Sequence, residues 1–175
     1  MRRFLRIALA MAACLAAGPA LATQAVIGDE PPHATEAVMP LLGDLESEDL
    51  SVRMAALLAL RELGPIAWPA VPALIEGLSD PLVPVRKASA GALGGIGEHA
   101  QPAVPALAKA LSDPHRFVRS WAAMALYEIG PAARAATPAL IHMMKTDRGN
   151  LRGRSWCASA LPRVGADAER AVPAL

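Results

Sequence analysis

The residues that could carry out acid–base or metal chemistry are the four histidines and two cysteines of the chain. The histidines stand far apart, as His33, His99, His115 and His142. A zinc site needs ligands at short fixed spacings such as H-x-x-x-H or C-x-x-C, and a catalytic histidine needs a nucleophile or a carboxylate beside it. The chain has neither of those ligand spacings. We therefore predict solvated histidines, no metal ion, no cofactor and no catalytic residues.

The sulfur-containing side chains offer one further possibility, a soft-metal site at His142-Met143-Met144. Met144 shares its sequence position with leucines of earlier segments, Leu78 and Leu111, which predicts a core position for this flexible side chain. Cys157 likewise shares its position with small residues, Ala56, Ser89 and Ala122. We predict a buried, unreactive thiol.

Arginine recurs at one position, as Arg53, Arg86, Arg119 and Arg154. A column of identical cations could bind an anion. Aspartates stand in the segments that follow, however, as Asp80, Asp113 and Asp147. Because a guanidinium pairs well with a carboxylate or with loop carbonyl groups, the pattern predicts a ladder of structural ion pairs.

The aromatic residues are few, and Trp121 and Trp156 share a column that holds Ala55 and Ala88 earlier in the chain. Met124 and Tyr127 follow Trp121 at helical spacing, on the same side of a predicted helix. Trp and Tyr are the residues that most often anchor interfaces. One hypothesis is a partner-binding patch of Trp121, Met124, Tyr127 and Trp156. The alternative, which we favour, is that both indoles fill the groove between helices.

A 33-residue repeat must position all of these residues. Ala-Val-Pro-Ala-Leu at 70–74 recurs at 103–107 and 171–175, and as Ala-Thr-Pro-Ala-Leu at 136–140. Gly64, Gly97 and Gly130 keep the same period, and a longer loop predicted at 146–153 shifts the fourth copy by two residues. Such self-similarity indicates a solenoid. The copies run at about 37–69, 70–102, 103–135 and 136–170, with a partial fifth from 171.

Each copy divides into two helices. The first has Pro in its first turn, where no N–H is needed, and an Asp-Pro or similar turn ends it. The second ends on a glycine suited to the left-handed C′ position. Neither helix can bury its apolar stripe alone, so neighbouring copies must stack, with the second helices lining the concave surface. We predict an all-α fold over residues 36–175, a right-handed α-solenoid (α-α superhelix).

The N-terminus has the pattern of a bacterial signal peptide. Arg2, Arg3 and Arg6 precede an apolar run at 7–17, and Ala20-Leu21-Ala22 provides the small residues of a cleavage site. We predict a signal peptide at 1–22, an extended leader at 23–35 and a periplasmic or extracellular location. Met11-Ala12-Ala13-Cys14 loosely resembles a lipoprotein signal and Arg2-Arg3 a twin-arginine signal, but the apolar run continues past Cys14 and favours general secretion.

Export also sets the charge and the redox state of the mature chain. Removing three arginines changes the formal charge from +1 to about −2, so no basic stripe remains to bind nucleic acid. No later stretch approaches the roughly 20 apolar residues of a membrane span. One thiol remains, which excludes an internal disulfide.

The repeat pattern V-P-A-L-x-x-x-L-x-D-P-x-x-x-V-R-x-x-A-x-x-A-L-x-x-I-G resembles the HEAT-like repeat named after the phycobilisome bilin lyases (PBS lyase repeat). The resemblance covers residues 37–175 and implies an armadillo-type or HEAT-type α-solenoid. It also implies one enzymatic alternative, a bilin lyase or isomerase activity. Export opposes that alternative, since the relatives that handle bilins work beside cytoplasmic antenna proteins.

The function predicted from these observations is that of an exported, non-catalytic HEAT-repeat module, a scaffold or assembly factor that presents its concave surface to a protein partner. A second alternative is that the sequence is a fragment of a larger exported multidomain protein, because Leu175 stands only a few residues into a fifth first helix.

Overall fold

A computed structural model describes residues 33–165 of the chain, and the side chains of residues 36–165. The predicted signal peptide, most of the leader, Cys14 and the partial fifth repeat lie outside these residues. The described part contains α-helices and short 3-10 segments and no strand. The prediction of an all-α fold is confirmed.

The helices alternate as first and second members of four pairs. The first helices are α1 (His33–Asp44), α3 (Val71–Gly77), α5 (Val104–Ala110) and α7 (Thr137–Thr146). The second helices are α2 (Leu50–Leu63), α4 (Val83–Ile96), α6 (Arg116–Ile129) and α8 (Leu151–Arg163). One 3-10 segment joins each pair to the next, and the three segments are Gly64–Ala70, Gly97–Ala103 and Gly130–Ala136.

The ends of the helices follow from particular residues. α3, α5 and α7 each begin with Pro in the first turn. α2 and α8 begin at side-chain caps, where Asp49 accepts from the Ser51 N–H and Asn150 from the Gly153 N–H. α2, α4 and α6 end at glycines with φ of 62°, 68° and 71°.

The conformation of these terminal glycines differs in one respect from the left-handed C′ residue that the sequence predicts. Their φ is positive as expected, but ψ is −135°, −137° and −138°. A left-handed helical residue has ψ near +45°. The observed combination is open to glycine and strained for other residues. It ends the second helix and turns the chain directly into the 3-10 segment.

The second helices form the tightly packed side of the stack. α2, α4, α6 and α8 contact one another in sequence along their lengths, whereas consecutive first helices barely touch. Small residues permit this close approach: Ala92, Ala125 and Ala160 are fully buried. A Cβ on Gly94 would lie only 3.1 Å from Cα of Ala125. Because the closer-packed side of a stack is the inside of its curve, the exposed sides of α2, α4, α6 and α8 form the concave face.

The core consists of repeated columns, as the alignment of the copies predicts. The columns beginning at Val85, Ala92, Leu93 and Ile96 are buried through the second, third and fourth pairs. A further column of the second helices also belongs to the core, since Leu57, Ala90 and Ala123 are 2%, 0% and 0% exposed. Ala123 lies one turn before Tyr127, which contacts α8, so the following second helix covers this side.

Two boundaries differ from the prediction. α1 begins at His33, so residues 33–35 of the predicted extended leader are helical; they contain no helix-breaking residue. The longer loop predicted at 146–153 spans only 147–150, because Asn150 starts α8 early by capping the Gly153 N–H at 3.0 Å. α7 also takes up part of the insertion, with 10 residues against 7 in α3 and α5.

One continuous helical run among the described residues, 50–77, is long and apolar enough to cross a membrane by length and composition. An 18-residue stretch of this run has a mean hydropathy of 1.2, and 39% of that stretch is buried inside the protein. The run combines α2, a 3-10 segment and α3, and Gly64 turns the chain between them with φ of 62°. Both helices pack against their neighbours in the solenoid.

Candidate functional site

The repeated arginines lie in the first turns of the second helices, next to the loops that join first and second helices. Arg86 makes a two-pronged pair with Asp113, with Nε 2.8 Å from Oδ2 and Nη2 3.1 Å from Oδ1. Arg119 pairs in the same way with Asp147, at 2.6 Å and 2.9 Å. Arg53 makes a single contact, from Nη1 to Oδ2 of Asp80 at 3.2 Å. Each arginine therefore reaches the aspartate of the next repeat.

Arg86 and Arg119 also bond the loops that precede their own helices. Nη1 of Arg86 donates to the carbonyl oxygens of Asp80 and Pro81, at 3.0 Å and 3.2 Å. Nη1 of Arg119 donates to the equivalent oxygens of Asp113 and Pro114. One guanidinium thus joins two consecutive loops, and its donors are used inside the fold. This arrangement is a structural ladder and leaves little of the column to bind an outside anion.

Arg154, the fourth arginine, differs from the other three because it forms no ion pair with a described residue. Its Nε, like that of Arg53, is buried without a hydrogen-bond partner. No further aspartate-bearing loop follows it among the described residues. The ladder is therefore built between the first and fourth pairs, and Arg154 marks its last position in the described chain.

The ladder shifts the pKa values of its members. A hydrogen bond from Arg119 is the main cause that lowers the pKa of Asp147, and a bond from Asn150 adds to it. Burial by itself raises the pKa of Asp113, but bonds from Arg86 and from the His115 N–H outweigh it, and the net pKa is lowered. The hydrogen bond to Asp113 raises the pKa of Arg86. All three groups are therefore charged at neutral pH.

The concave face carries one aromatic–cation contact that crosses a whole repeat. The guanidinium carbon of Arg61, on α2, lies 4.9 Å from the ring centroid of Trp121, on α6. Gly91 of the intervening α4 leaves the space, since a Cβ there would lie 2.9 Å from Cζ3 of Trp121 and 3.9 Å from Cδ of Arg61. The two side chains meet above α4 in a cation–π geometry.

A second aromatic–cation cluster lies between α6 and α8. The ring centroids of Tyr127 and Trp156 are 5.5 Å apart with planes tilted by 53°. The guanidinium carbon of Arg163 lies 4.5 Å from the centroid of the Tyr127 ring. Tilted rings and a stacked cation are both favourable arrangements for aromatic side chains.

The four residues of the predicted patch, Trp121, Met124, Tyr127 and Trp156, are all half-buried. The two indoles belong to different clusters, so the patch has two parts joined by α6. Both parts partly fill grooves between helices and partly face solvent, which combines the two alternatives considered for the sequence. The sequence prediction did not include Arg163. Gly91 was the available signal for the Arg61 contact, because other repeats have larger residues in that column, Leu58, Met124 and Ser159.

The histidines do not assemble into a site. His99 and His142 are exposed, whereas His115 is half-buried with an unpartnered Nδ1 and its ring 5.5 Å from that of Phe117. His115 is therefore less solvated than the sequence predicts, and Phe117 lies beside its ring. The side chain of His33 lies outside the described residues. Within residues 36–165 no group of three or more His, Cys, Asp or Glu is placed to hold a metal ion.

The sulfur atoms near α7 are buried. Cys157 is fully buried with Sγ 3.5 Å from Sδ of Met143, while Met144 is also in the core and His142 is exposed. Desolvation raises the pKa of the Cys157 thiol to about 12, and the charge of Asp147 adds to this. The thiol is therefore protonated at neutral pH and a poor nucleophile or metal ligand.

Two examples of solved structures that resemble this chain are an engineered protein and a phycocyanin lyase complex. An engineered protein matches with a TM-score of 0.62 at 23% identity, over 78% of this chain and 66% of that one. The complex of CpcE and CpcF of phycocyanin lyase from Nostoc sp. PCC7120 matches with a TM-score of 0.62 at 28% identity, over 87% of this chain and 60% of that one. The chain thus spans less than two thirds of the length of either. No curated protein matches it.

A family model described as HEAT repeats matches residues 71–162. That range contains α3 to α8 except the last residue of α8, and therefore all of the Arg86 and Arg119 ladder contacts. The match and the likeness to phycocyanin lyase confirm the family predicted from the repeat pattern. Since the matched range is more than half of the 175 residues, the chain belongs to the HEAT-repeat family.

Proposed function

We propose that this HEAT-repeat protein is an exported, non-catalytic binding module that holds a protein partner on its concave face. The observation that carries the proposal is the contrast between the repeated core columns and the variable residues on the concave side of the second helices. The column Leu58, Gly91, Met124 and Ser159 changes in size and polarity from one pair to the next. Aromatic residues are concentrated there, on α6 and α8. Half-buried Trp and Tyr side chains are common interface anchors.

A site-specific cross-linker tests where the partner binds. The mature chain, from residue 23 onward, carries a photoreactive amino acid in place of exposed Ser159 on α8 and is mixed with the native envelope fraction. The matched control carries it at exposed Lys109 on α5, on the opposite side of the stack. We expect a discrete adduct from position 159 and none from position 109. Adducts from 109 alone, or from both equally, would contradict a concave binding face.

Export is part of the proposal and rests on the basic, apolar and small-residue segments at 1–22. Fusing residues 1–30 to a reporter that is active only outside the cytoplasm tests it directly. Reporter activity that disappears when Arg2, Arg3 and Arg6 are changed to glutamate is the expected result. An inactive reporter would overturn this part of the proposal and favour a cytoplasmic protein. Sequencing the coding frame beyond Leu175 tests whether the chain is a fragment.

A second candidate function is a bilin lyase-like activity, favoured by the 28% identity to the phycocyanin lyase complex. Visible absorbance of a bilin mixed with the mature chain tests this candidate. A spectral change that disappears in Trp121→Ala or Tyr127→Phe would support a pigment site on the concave face. An unchanged bilin spectrum would exclude it and leave the binding module.

A further inference from the structure

The partly exposed stripe of α6 lies between two guanidinium groups. Trp121, Met124 and Tyr127 follow one another at intervals of three residues, and all are half-buried. Arg61 contacts the ring of Trp121 from the α4 side. Arg163 contacts the ring of Tyr127, which borders α8. An apolar stripe is therefore flanked on both sides by a cation that the protein itself holds in place.

Both guanidinium groups are available to an outside carboxylate. Neither Arg61 nor Arg163 forms an ion pair with a described residue, in contrast to the ladder arginines. A guanidinium that stacks on an aromatic ring uses the face of its plane, so its N–H donors remain free around the edge. That edge matches the two oxygens of a carboxylate. The stacking partners also reduce the conformational entropy lost when a ligand binds.

The net charge around the stripe is positive, like that of the two guanidinium groups. Lys87 on α4 and exposed Arg152 on α8 add to Arg61 and Arg163, and the carboxylates on this face are those of Glu62 and Glu128. Cations therefore exceed carboxylates, although the chain after loss of residues 1–22 has a predicted charge of about −2. The excess of positive charge is therefore local to this face and is not a property of the whole chain. Complementary charge of this kind guides a partner to its site.

We propose that this face binds an extended acidic peptide segment, with an apolar side chain on Met124 and carboxylates on Arg61 and Arg163. The inference rests on the proposed function and specifies the chemistry of the partner. Trp121 and Tyr127 are six residues apart, which is about 9 Å along the helix axis. Including the width of α6, the two guanidinium groups are roughly 10–15 Å apart, a distance spanned by about three to five extended residues.

Four fluorescein-labelled peptides test the proposal by fluorescence anisotropy. The first has a leucine with two glutamates on each side, the second replaces the glutamates with glutamine, and the third replaces them with lysine. The fourth keeps the glutamates and replaces the leucine with glycine. We expect the acidic leucine peptide to bind about tenfold more tightly than the glutamine peptide at low salt, from two partly exposed ion pairs. Added salt weakens this binding.

Single substitutions assign the binding to the two cations. Arg61→Gln and Arg163→Gln are each expected to weaken binding of the acidic leucine peptide about three- to fivefold, the contribution of one exposed pair. Arg134→Gln is the matched control, since Arg134 is exposed on a 3-10 segment away from the second helices, and it leaves the affinity unchanged. Thermal unfolding of each variant verifies the fold. Because Arg163 is exposed, we expect Arg163→Gln to keep the fold, so it still tests the proposal if Arg61→Gln destabilises the chain.

Several results would overturn the proposal. These are absence of binding by the acidic leucine peptide, equal binding of the glutamate and glutamine peptides, or an equal effect of Arg134→Gln. Binding of phosphatidylserine vesicles without binding of the acidic peptide would assign the face to a lipid surface instead. An adduct from Ser159 in the envelope fraction, together with no peptide binding, would leave the proposed function standing and reject only this partner chemistry.

Discussion

The guanidinium of Arg61 lies 4.9 Å from the ring of Trp121, although a complete helix, α4, separates α2 from α6. In a solenoid each repeat ordinarily contacts only its neighbours. The exception here depends on Gly91, which has no side chain to separate the two residues. The contact links the first helix pair to the third across the concave face, so the most variable surface of the protein also couples distant repeats.

Gly91→Ala is predicted to displace the Trp121 indole from Arg61. The new Cβ would lie 2.9 Å from Cζ3 and 3.0 Å from Cε3 of that ring. Because these atoms are the far end of a side chain, the ring moves and the backbone stays. We expect a red-shifted Trp121 emission in a chain whose other tryptophans are Phe, with unfolding free energy changed by less than about 1 kcal/mol. An unshifted spectrum would contradict the contact.

Gly95→Ala is predicted to destabilise the stack itself. A Cβ at this position would lie 2.7 Å from the backbone oxygen of Arg61, so α2 and α4 must move apart. Overpacking of this kind costs roughly 1–3 kcal/mol. The matched control is Gly43→Ala in α1, where nothing lies within 4 Å of the new Cβ.

Urea unfolding followed by circular dichroism measures both variants. Gly43→Ala should stabilise the helix by up to about 1 kcal/mol, the usual gain from alanine within a helix. Equal effects of Gly43→Ala and Gly95→Ala would show that the close approach of α2 to the Gly95 backbone carries no energetic weight.

The helix pairs and the core columns could be predicted from the sequence because each feature is repeated. Val85, Leu93 and Ile96 recur with the period of the stack, and residues that recur at helical spacing on one side must be covered by a neighbour. The same reasoning placed Arg86 near Asp113, since both positions recur. Repetition in the sequence therefore identifies the contacts that every repeat makes, and the fold is built from such contacts.

The concave face could not be predicted in the same way, because its contacts occur once. Arg61 reaches Trp121 only because position 91 is Gly, and Arg163 reaches Tyr127 only because α8 replaces the Glu128 of α6 with a cation at the same column. A single-copy contact leaves no periodic signal. Its existence depends on side-chain lengths and rotamers that spacing alone does not contain.

Asp113→Asn is predicted to weaken the ladder and to change its dependence on pH. The folded pKa of Asp113 is lowered, so the folded state releases its proton more readily than the unfolded state. The stability from this group is therefore fully present above the unfolded pKa of about 3.9 and is lost as the pH falls through the lower folded pKa. At pH 7 the substitution is expected to cost about 1.5–3 kcal/mol, the value of hydrogen bonds to a charged group.

Urea unfolding from pH 7 to pH 3 measures both effects. The wild-type chain should lose more stability over this range than Asp113→Asn, which lacks one of the groups that must be protonated. Asp44→Asn is the control, because Asp44 stands at the end of α1 outside the ladder. Parallel pH curves for wild type and Asp113→Asn would show that the ladder carboxylate does not contribute to acid unfolding.

Ser89→Ala is predicted to stabilise the protein. The Ser89 side chain is fully buried in α4, and its hydroxyl has no hydrogen-bond partner. A Cβ on Gly77 would collide with this hydroxyl, so the serine occupies space that the glycine leaves free. A buried unsatisfied hydroxyl costs about 1–3 kcal/mol, and alanine removes it without adding volume. Alanine or a similarly small residue already fills the equivalent positions, Ala56 and Ala122.

Ser120→Ala is the matched control for this prediction, since Ser120 is also buried but its hydroxyl is satisfied. Its Oγ lies 2.9 Å from Oδ1 of Asn150 and 3.0 Å from the carbonyl oxygen of Arg116, so one hydroxyl proton is shared between two acceptors. Removing it should lower the unfolding free energy by about 1 kcal/mol, the net value of one intramolecular hydrogen bond. The unfolding free energy measured with urea should therefore rise in Ser89→Ala and fall in Ser120→Ala. A loss of stability in Ser89→Ala equal to that in Ser120→Ala would mean that the Ser89 hydroxyl is satisfied in solution, most simply by a water molecule in the space beside Gly77.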